Sequence, residues 1–380
     1  MKRSLKYILT SGKNPKWLYF LKGYALRLIP AFIARWQGQR LLREIDRRPD
    51  KDYILSRADY YCRLSKPTPL SLDAQPLSTI WRLPKKQKTY YIDSFEILRH
   101  FDSTYYWSFW PGDIITVPPT PTIVKSRPLS PDNANSVLLK LDKIRHFIFV
   151  NDHTPWQDKM PKAIFRGKIT GKESRRQFME LYFGSDICDC GDTDYKHTEN
   201  PAWLTPFKTI NEHLQYRYIM ALEGKDVASN LKWVMSSNSI AVMPRPTCET
   251  WFMEGKLIPD YHYIEIKPDF SDLEERLAYY DAHPQEAQAI IDHAHEYVKP
   301  FRDAHREKLI ALAVAQKYFS YAVHPACSIP SPTSLACKNN QPDSMQMSGL
   351  NRQSPDGQPT VNPKNTTRTV SDEDSNQPEI

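Results

Sequence analysis

The fold of this chain is decided by residues 161–176, Pro-Lys-Ala-Ile-Phe-Arg-Gly-Lys-Ile-Thr-Gly-Lys-Glu-Ser-Arg-Arg, and by residues 223–232, Glu-Gly-Lys-Asp-Val-Ala-Ser-Asn-Leu-Lys. In the first stretch, an apolar strand over 163–165 ends in an Arg-Gly turn and a basic helix follows. In the second, one helix stops at Gly224 and another begins after Ser229 and Asn230. Both junctions offer free backbone N–H groups, small residues and cations, which suit a diphosphate. Because neither junction contains a P-loop or a dinucleotide fingerprint, they favour a nucleotide-sugar over ATP or NAD.

Predicted strands and helices alternate along residues 156–324. We predict strands over 163–165, 239–243 and 261–266, and helices over 174–183, 212–222, 231–236, 272–280, 284–298 and 302–322. Such alternation predicts a parallel sheet that helices cover on both faces. Ligands of these sheets bind at the carboxyl ends of the strands, where both basic junctions are expected.

The first half, roughly residues 1–155, is predicted to mix short strands with proline-rich loops. Strands are expected over 89–92, 114–117 and 122–124, and 145–150 is either a strand or the end of a helix. Residues 325–380 are rich in Pro, Ser, Asn, Gln and Thr. That composition buries too little apolar surface to offset the entropy of ordering, so a disordered tail is predicted.

An acidic triplet, Asp192-Thr-Asp194, is similar to the D-x-D pair with which some transferases hold Mn²⁺ or Mg²⁺ on a diphosphate. It lies in a segment, 188–195, that is predicted to be a loop after a helix and not the end of an apolar strand. We therefore interpret the triplet as a plain acidic loop and predict no metal site.

The net charge of +7 is concentrated near the N-terminus, where residues 1–43 carry ten cations and no acid. Apolar and aromatic residues alternate with these cations, but no apolar run reaches the roughly 18 residues that a membrane span needs, and no signal-peptide pattern is present. Segment 1–50 is therefore predicted to be basic, amphipathic and bound to an anionic membrane surface. The alternative is a solvated basic helix face. Nucleic-acid binding is disfavoured, because no nucleic-acid module accompanies the charge.

The chain resembles glycosyltransferase family 90. The resemblance is carried by the Phe165-Arg-Gly turn with the Thr170 and Arg175 that follow it, and by segments 226–233, 238–242, 261–264 and 269–273. Within the family, segments 122–128, 138–147 and 234–238 are most similar to a bacterial branch of lipopolysaccharide core biosynthesis glycosyltransferases. The likeness covers residues 1–322, and its motifs are specific in combination although each is weak alone.

The resemblance implies an α/β, GT-B-like fold in which two Rossmann-like domains face a cleft. The expected parts are the basic segment 1–50, an acceptor-side domain at 51–155, a nucleotide-sugar-binding domain at 156–324 and the disordered tail at 325–380. The resemblance also implies a UDP-sugar donor, inversion at the anomeric carbon, and no required metal or other cofactor.

The donor site is expected at the two basic junctions. By the resemblance, Arg175 stands for an arginine that contacts the diphosphate, with Arg176 as the alternative one residue along. Lys168 stands where the glucosyltransferase branch has Ser. The nucleotide loop falls on 226–230, and near its end Asn230 replaces an arginine whose charge Lys232 can supply. The predicted donor-binding residues are Arg166, Lys168, Thr170, Arg175, Arg176, Ser229, Asn230, Lys232 and Glu249.

The resemblance does not locate the catalytic base, because the family's aspartate would fall within 124–128, where no carboxylate stands. Inversion needs a base that takes the proton of the acceptor hydroxyl. A loop or helix-cap role is the alternative for every candidate. The candidates, all in the first half, are Asp113, Asp102, Asp142 and Asp152.

These expectations describe a hexosyltransferase that moves glucose or galactose from a UDP-hexose to a lipid-linked lipopolysaccharide core oligosaccharide. Six cysteines without a disulfide framework indicate a reducing compartment, so we expect a cytoplasmic protein on the inner face of the cytoplasmic membrane. The alternatives are a protein or capsule O-glycosyltransferase of the same family, a binding protein that has lost catalysis and, less favoured, a sugar kinase.

Overall fold

The computed structural model describes residues 15–325. Residues 1–14 and 326–380 lie outside the described residues, and with them lie the start of the predicted basic segment and nearly all of the predicted tail. Within the described range, no helix combines the length and the apolar character that crossing a membrane requires.

Four helices and several very short strands build the first half. The helices are α1 (Lys16–Ala25), α2 (Ala31–Ile45), α3 (Lys51–Tyr61) and α4 (Lys88–Leu98). The strands are β1 (Thr68–Pro69), β2 (Gln75–Pro76), β3 (Tyr106–Trp107), β4 (Phe109–Trp110), β5 (Thr122–Val124), β6 (Ser126–Pro128) and β7 (Ser136–Leu138). A fifth helix of a single turn, α5 (Lys143–His146), follows them. The largest sheet of this half is β4-β5-β7, and its pairs are parallel.

One of the strands predicted in the first half, 122–124, is confirmed as β5. The strand predicted over 89–92 is wrong, because these residues begin α4. Taken alone, residues 89–92 have the aromatic and β-branched composition that is typical of a strand. Over a longer window, Tyr91, Phe95 and Leu98 recur at helical spacing, which predicts a helix. The strand predicted over 114–117 is also wrong. There the Ser126 hydroxyl accepts from the Ile114 N–H at 3.0 Å and donates to its carbonyl at 2.9 Å, which replaces a strand partner.

A five-stranded parallel sheet organises the second half. The strands of this half are β8 (Met160–Gly167), β9 (Cys188–Asp192), β10 (Tyr216–Met220), β11 (Ile240–Met243), β12 (Cys248–Thr250), β13 (Ile264–Glu265) and β14 (Ala322–Val323). The helices are α6 (Glu173–Tyr182), α7 (Ile210–His213), α8 (Leu231–Val234), α9 (Leu273–Ala282), α10 (Pro284–Val298) and α11 (Ala304–Tyr321). The sheet has the order β13-β11-β10-β8-β9, while β12 pairs with β6 and β14 with β1.

The strand order of this sheet reverses between β8 and β10. From β8 the chain proceeds to β9 on one side, and from β10 it proceeds through β11 to β13 on the other. At such a topological switch point, the loops that leave the carboxyl ends diverge and open a crevice in which ligands bind. The fold therefore places the loop after β8 beside the loop after β10.

Most predicted elements of the second half are confirmed, but two are wrong. The helix predicted over 212–222 lasts only one turn, because the capping box of Thr209 and Glu212 starts α7 and the chain then enters β10. This aromatic and aliphatic stretch forms a strand because it pairs with β8 on one side and with β11 on the other. The predicted loop 188–195 begins with β9, so Asp192 stands at the end of a strand after all.

The two faces of the parallel sheet pack into different hydrophobic clusters, as the two-residue period of a strand requires. Ala163 and Tyr218 pack with apolar residues of α6, α9 and α10. Ile164 and Ile219 belong to the cluster that holds the apolar core of the first half. One continuous core therefore joins the first half to the sheet.

The end of the described chain returns to the first half. Helix α11 packs against α3, and β14 pairs with β1, with Thr68 opposite Ala322. The last part of the predicted domain 156–324 thus belongs with the first half by packing. The α/β class is confirmed, but residues 15–325 do not confirm two Rossmann-like domains, since the first half has no sheet larger than three short strands.

Candidate active site

Two loops meet at the switch point of the parallel sheet. One, residues 167–172, follows β8, and the other, residues 221–230, follows β10; we call them the switch-point loops. Arg175 of α6 clamps them together. Its Nε donates to the Glu223 carbonyl at 2.9 Å, its Nη2 to the Leu222 carbonyl at 2.8 Å, and its Nη1 to the Lys168 carbonyl at 3.1 Å. Because a guanidinium has five N–H donors, further donors remain for a ligand.

Lys172 lies beside Arg175 above the second loop. A Cβ placed on Gly224 would lie 3.3 Å from Arg175 Nη2 and 3.9 Å from Lys172 Cε, so both side chains cover this glycine. The Lys172 ammonium donates to the Thr170 carbonyl at 3.1 Å. Lys168 stands in the same loop as Lys172. We call the group Lys168, Lys172 and Arg175 the switch-point cations.

The switch-point cations repel one another and are only partly compensated. Burial lowers the pKa of Lys172, and the positive charges of Arg175 and Lys168 lower it further. Burial also lowers the pKa of Arg175 to about 10. Among residues 15–325, no carboxylate forms an ion pair with Lys172 or Arg175, whose hydrogen bonds go to backbone carbonyl groups. An anion bound between these side chains would relieve the repulsion.

The acidic triplet lies at the end of β9, next to the first switch-point loop. The Thr193 N–H donates to the Gly167 carbonyl at 2.9 Å, and Lys168 Nζ lies 3.2 Å from Asp194 Oδ2. Burial raises the pKa of Asp194, but the contacts with Lys168 and His197 together outweigh it, so the pKa lies below its usual value. In the described part of the chain, no group of three His, Cys, Asp or Glu side chains is placed to hold a metal ion.

Two predicted donor residues, Ser229 and Asn230, stand in the second switch-point loop, and a third, Lys232, stands in the helix after it. Asn230 donates through Nδ2 to the Met220 carbonyl at 3.0 Å, which ties the loop to the end of β10, and Ser229 beside it is half-buried. Lys232 is placed differently. Its side chain has no exposed surface, and its ammonium lies 2.5 Å from a carboxylate oxygen of Glu254. The charge of Lys232 is therefore compensated inside the protein.

Four further predicted donor residues lie away from the switch-point cations or have their polar groups engaged. Arg166 points away from the face of β8 that packs on α6, since strand side chains alternate. It donates to the Asp189 carbonyl at 2.7 Å. Arg176 pairs with Glu173 on the exposed side of α6, and the Thr170 hydroxyl donates to the His197 carbonyl. Fully buried Glu249 accepts from Arg127 Nε at 2.8 Å where β12 pairs with β6.

A charged bridge joins the first half to the second switch-point loop. Lys125, buried between β5 and β6, places its ammonium 2.5 Å from Asp113 Oδ1 and 2.6 Å from Asp226 Oδ2. Arg145 Nη2 lies 3.2 Å from the same Asp113 oxygen. Burial raises the pKa of Asp113, but Lys125 and Arg145 outweigh it, so the pKa lies below its usual value. Asp113 is thus an ionised, partly exposed carboxylate beside the loop that carries Asp226.

The other candidate bases are placed differently. Asp102 binds Arg35 at 3.0 Å and accepts from the Thr104 N–H at 3.0 Å, as a turn carboxylate does. Asp142 binds Arg145 Nε at 3.0 Å and is buried. Asp152 lies 2.7 Å from the Lys159 ammonium and accepts from the Asn238 N–H at 3.0 Å.

The position of Asp152 separates it from the switch point. Lys159 and Asn238 precede β8 and β11, so Asp152 stands at the amino edge of the parallel sheet. The switch-point loops leave the opposite, carboxyl edge. Of the four carboxylates, Asp113 is the one that the structure links to a switch-point loop.

Two functional candidates, Lys172 and Lys125, were not among the predicted site residues. Lys172 could have been found from its distance in sequence to Arg175. Residues three apart at the start of a helix share one face, and Arg175 follows Lys172 by three residues. Lys125 offered no such signal. It stands in the segment where the family's carboxylate was sought, and its two acidic partners are distant in sequence.

Fold and site together describe a parallel α/β sheet whose topological switch point carries a group of cations. Comparison with known proteins is more specific. The family model "Glycosyl transferase family 90" matches residues 106–318. The O-glucosyltransferase LpsA of Dichelobacter nodosus is 38% identical over 305 residues, which cover 80% of this chain and 94% of that protein. Protein O-glucosyltransferase 1 of Homo sapiens is 22% identical over 273 residues, which cover 68% of this chain and 59% of that protein.

The chain belongs to glycosyl transferase family 90, and the family resemblance is confirmed. Family membership identifies it as a glycosyltransferase.

Proposed function

We propose that this protein transfers a hexose from a UDP-hexose to a hydroxyl of a lipid-linked lipopolysaccharide core oligosaccharide, with inversion and without a metal ion. Glucose is the favoured hexose and galactose the alternative, because the Dichelobacter nodosus relative is named an O-glucosyltransferase. The same relative covers most of both chains, and its name, unlike that of the human relative, specifies no protein acceptor.

The observation that carries this proposal is the group of switch-point cations. A diphosphate leaving group develops negative charge as the sugar departs, and preorganised cations stabilise that charge. Lys172 and Arg175 have no carboxylate partner in the described chain, so a diphosphate is the ligand that they lack. Ser229 and Asn230 stand in the second switch-point loop, and we propose their N–H groups as further donors.

Asp113 is the proposed base. Its depressed pKa keeps it ionised at neutral pH, as an acceptor of the sugar hydroxyl's proton must be. Lys125 holds it next to the loop of Asp226, so the base and the donor loop belong to one charged network. A quarter of the Asp113 side chain remains exposed, which leaves it open to an acceptor.

The surface of α1 supports a location on a membrane. Trp17, Leu21 and Tyr24 recur at helical spacing on α1 and are 69%, 57% and 47% exposed, and Leu28, in the turn just after the helix, is 84% exposed. The opposite face packs inward, where Tyr19 donates to Asp93 at 2.8 Å and Gly23 lies against Ile92. An outward apolar stripe on a helix with Lys16 and Lys22 suits the interface of an anionic bilayer. We propose that the enzyme works there, on the cytoplasmic face of the inner membrane.

UDP release from UDP-glucose and UDP-galactose, measured with core oligosaccharides that lack outer sugars, tests the proposal. We expect release with one donor, undiminished by a chelator. Asp113→Asn should slow release by about a hundredfold or more, the usual worth of a general base. Asp102→Asn is the matched control and should retain the wild-type rate. Failure of every UDP-hexose to release UDP, or equal rates for Asp113→Asn and wild type, would contradict the proposed reaction or its base.

A further inference from the structure

A large groove lies beneath α1, on the side of the helix opposite its apolar stripe. It has a volume of about 660 Å³ and is bounded by α1, α4, residues 140–149 and the start of α11. This volume falls in the range of ligand-binding cavities in general. The groove shares none of its lining residues with the switch-point loops. We call it the α1 groove.

One part of the α1 groove is apolar. Its walls include Leu26, Ile92, Phe147, Phe149 and Phe301, drawn from four separate elements. The approach of α1 depends on Gly23, since a Cβ there would come within 2.7 Å of Ile92. A cavity with such walls loses little by admitting a hydrocarbon chain and gains by covering apolar surface.

The other part of the α1 groove is basic. Five cations but only two acids line it: Lys22, Lys140, Lys143, Arg302 and Lys308 against Glu96 and Glu307. Glu96 is shared by Lys22 at 3.3 Å and Lys143 at 2.5 Å, and Glu307 lies 2.9 Å from Lys140. The two acids of the groove are therefore already engaged.

Lys308 is the cation left over. It is half-buried, and within residues 15–325 its ammonium has no hydrogen-bond or ion-pair partner. Burial lowers the pKa of Lys308; the nearby carboxylate of Glu96 opposes this effect, and the charge of Arg99 adds to it. Arg99 is itself buried, and its Nε and Nη1 have no hydrogen-bond partner in the described chain. Lys308 is thus the lining cation without an acceptor in the described chain, and it marks this end of the groove for an anion, while Arg99 adds positive charge nearby from outside the groove lining.

We propose that the α1 groove binds one anionic phospholipid of the bilayer, with the phosphate on Lys308 and an acyl chain along the apolar wall. The same helix supports this occupant, because its outer stripe lies against the bilayer while Leu18 and Lys22 line the groove. A lipid can thus enter from the side without leaving the membrane interface. The proposal rests on the proposed membrane location and is independent of sugar transfer.

Titration calorimetry of the purified full chain with short-chain phosphatidylglycerol, below its micelle concentration, tests this site. We expect one lipid per chain, and weaker binding of phosphatidylcholine with the same acyl chains. Lys308→Ala should bind phosphatidylglycerol about tenfold more weakly, the worth of one charge-assisted contact. Ala304→Trp, at the exposed start of α11, should also weaken binding by filling the groove.

The matched control is Lys317→Ala, because Lys317 lies on the same helix but pairs with Asp59 outside the groove. It should bind the lipid as wild type does, and all variants should keep the wild-type melting temperature. Absence of one-to-one binding, equal affinity in Lys308→Ala and wild type, or binding of a glycolipid acceptor but not of phosphatidylglycerol would each overturn the proposal. UDP release is not part of this readout, so failure of the proposed reaction would leave the lipid result standing.

Discussion

Two groups of basic side chains in this protein, one in the core and one at the switch point, differ in what compensates their charge. In the core, Arg127 meets Glu249 and Lys232 meets Glu254, and all four side chains have virtually no exposed surface. At the switch point, Lys172 and Arg175 bind only carbonyl oxygens. A carboxylate neutralises a cation, whereas a carbonyl orients it and leaves its charge available. In the first group, the Arg127–Glu249 pair joins the two halves of the chain and the Lys232–Glu254 pair lies within the second half. The second group is available to bind a ligand.

The largest effect that this comparison predicts is on stability. Arg127→Ala leaves Glu249 as a buried charge without its main partner and removes donors from the Tyr60 and Ser136 carbonyls. We expect the free energy of unfolding to fall by about 3–5 kcal/mol, the usual cost of breaking a buried pair. Denaturant unfolding measures it. A loss below about 1 kcal/mol, as for a surface pair, would remove the distinction between the two groups.

Arg175→Ala is expected to affect both activity and stability. UDP release should slow by about a hundredfold, because the leaving diphosphate loses an oriented cation. The melting temperature should also fall, since three hydrogen bonds that clamp the switch-point loops are lost. Arg175→Lys keeps the positive charge but loses the planar array of guanidinium donors. It should therefore restore only part of the activity and only part of the melting temperature. Wild-type release by Arg175→Ala would separate Arg175 from the donor site.

Lys168→Ala should have a smaller effect. Lys168 is mostly exposed and already bound to Asp194, so solvent weakens its pull on a diphosphate. We expect UDP release to fall by about tenfold or less, with no change in melting temperature. The comparison with Arg175→Ala tests whether burial sets the strength of a cation at this site, and a larger effect at Lys168 would reverse that order.

The smallest expected effect is the uptake of a fraction of a proton when UDP binds. Burial and the charges of Arg175 and Lys168 hold the pKa of free Lys172 below its usual value. A bound diphosphate stabilises the ammonium and raises that pKa. Between the two pKa values the complex holds a proton that the free protein lacks, so UDP binding takes up protons and weakens as pH rises. Calorimetry over a pH series below the usual lysine pKa of about 10.4, in buffers of different ionisation enthalpy, measures the uptake. Lys172→Arg should reduce it to what Arg175 contributes; equal uptake in that variant and wild type would assign the proton elsewhere.

The sequence alone predicted the loops of the candidate donor site better than it predicted the contacts of their side chains. Turns, caps and cations close together in the chain located both switch-point loops, and strand 163–165 was confirmed within β8. The partners of Arg166, Lys232 and Glu249 could not be predicted, because each is set by alternation along a strand or by contact with a distant element. Local spacing reveals that a cation is near a turn but not whether a carboxylate already meets it.

Prediction of the fold was limited in the same way, because contacts between distant segments decide some of its elements. β10 forms one side of the switch point, yet its residues were predicted to be helical, because an apolar stretch after a capping box favours a helix locally. Its identity as a strand depends on pairing with β8 and β11. The shared core of the two halves was equally hidden, since it depends on which face of each strand meets the first half.

The most direct test of the central claim is UDP binding to Lys172→Ala, measured by calorimetry beside wild type and Arg176→Ala. Lys172 has no carboxylate partner in the described chain, whereas Arg176 pairs with Glu173 on the exposed side of the same helix. We predict that Lys172→Ala binds UDP at least about tenfold more weakly, the worth of one charge-assisted phosphate contact, and that Arg176→Ala matches wild type. Equal UDP affinity in Lys172→Ala and wild type would contradict the claim that the switch-point cations hold the diphosphate.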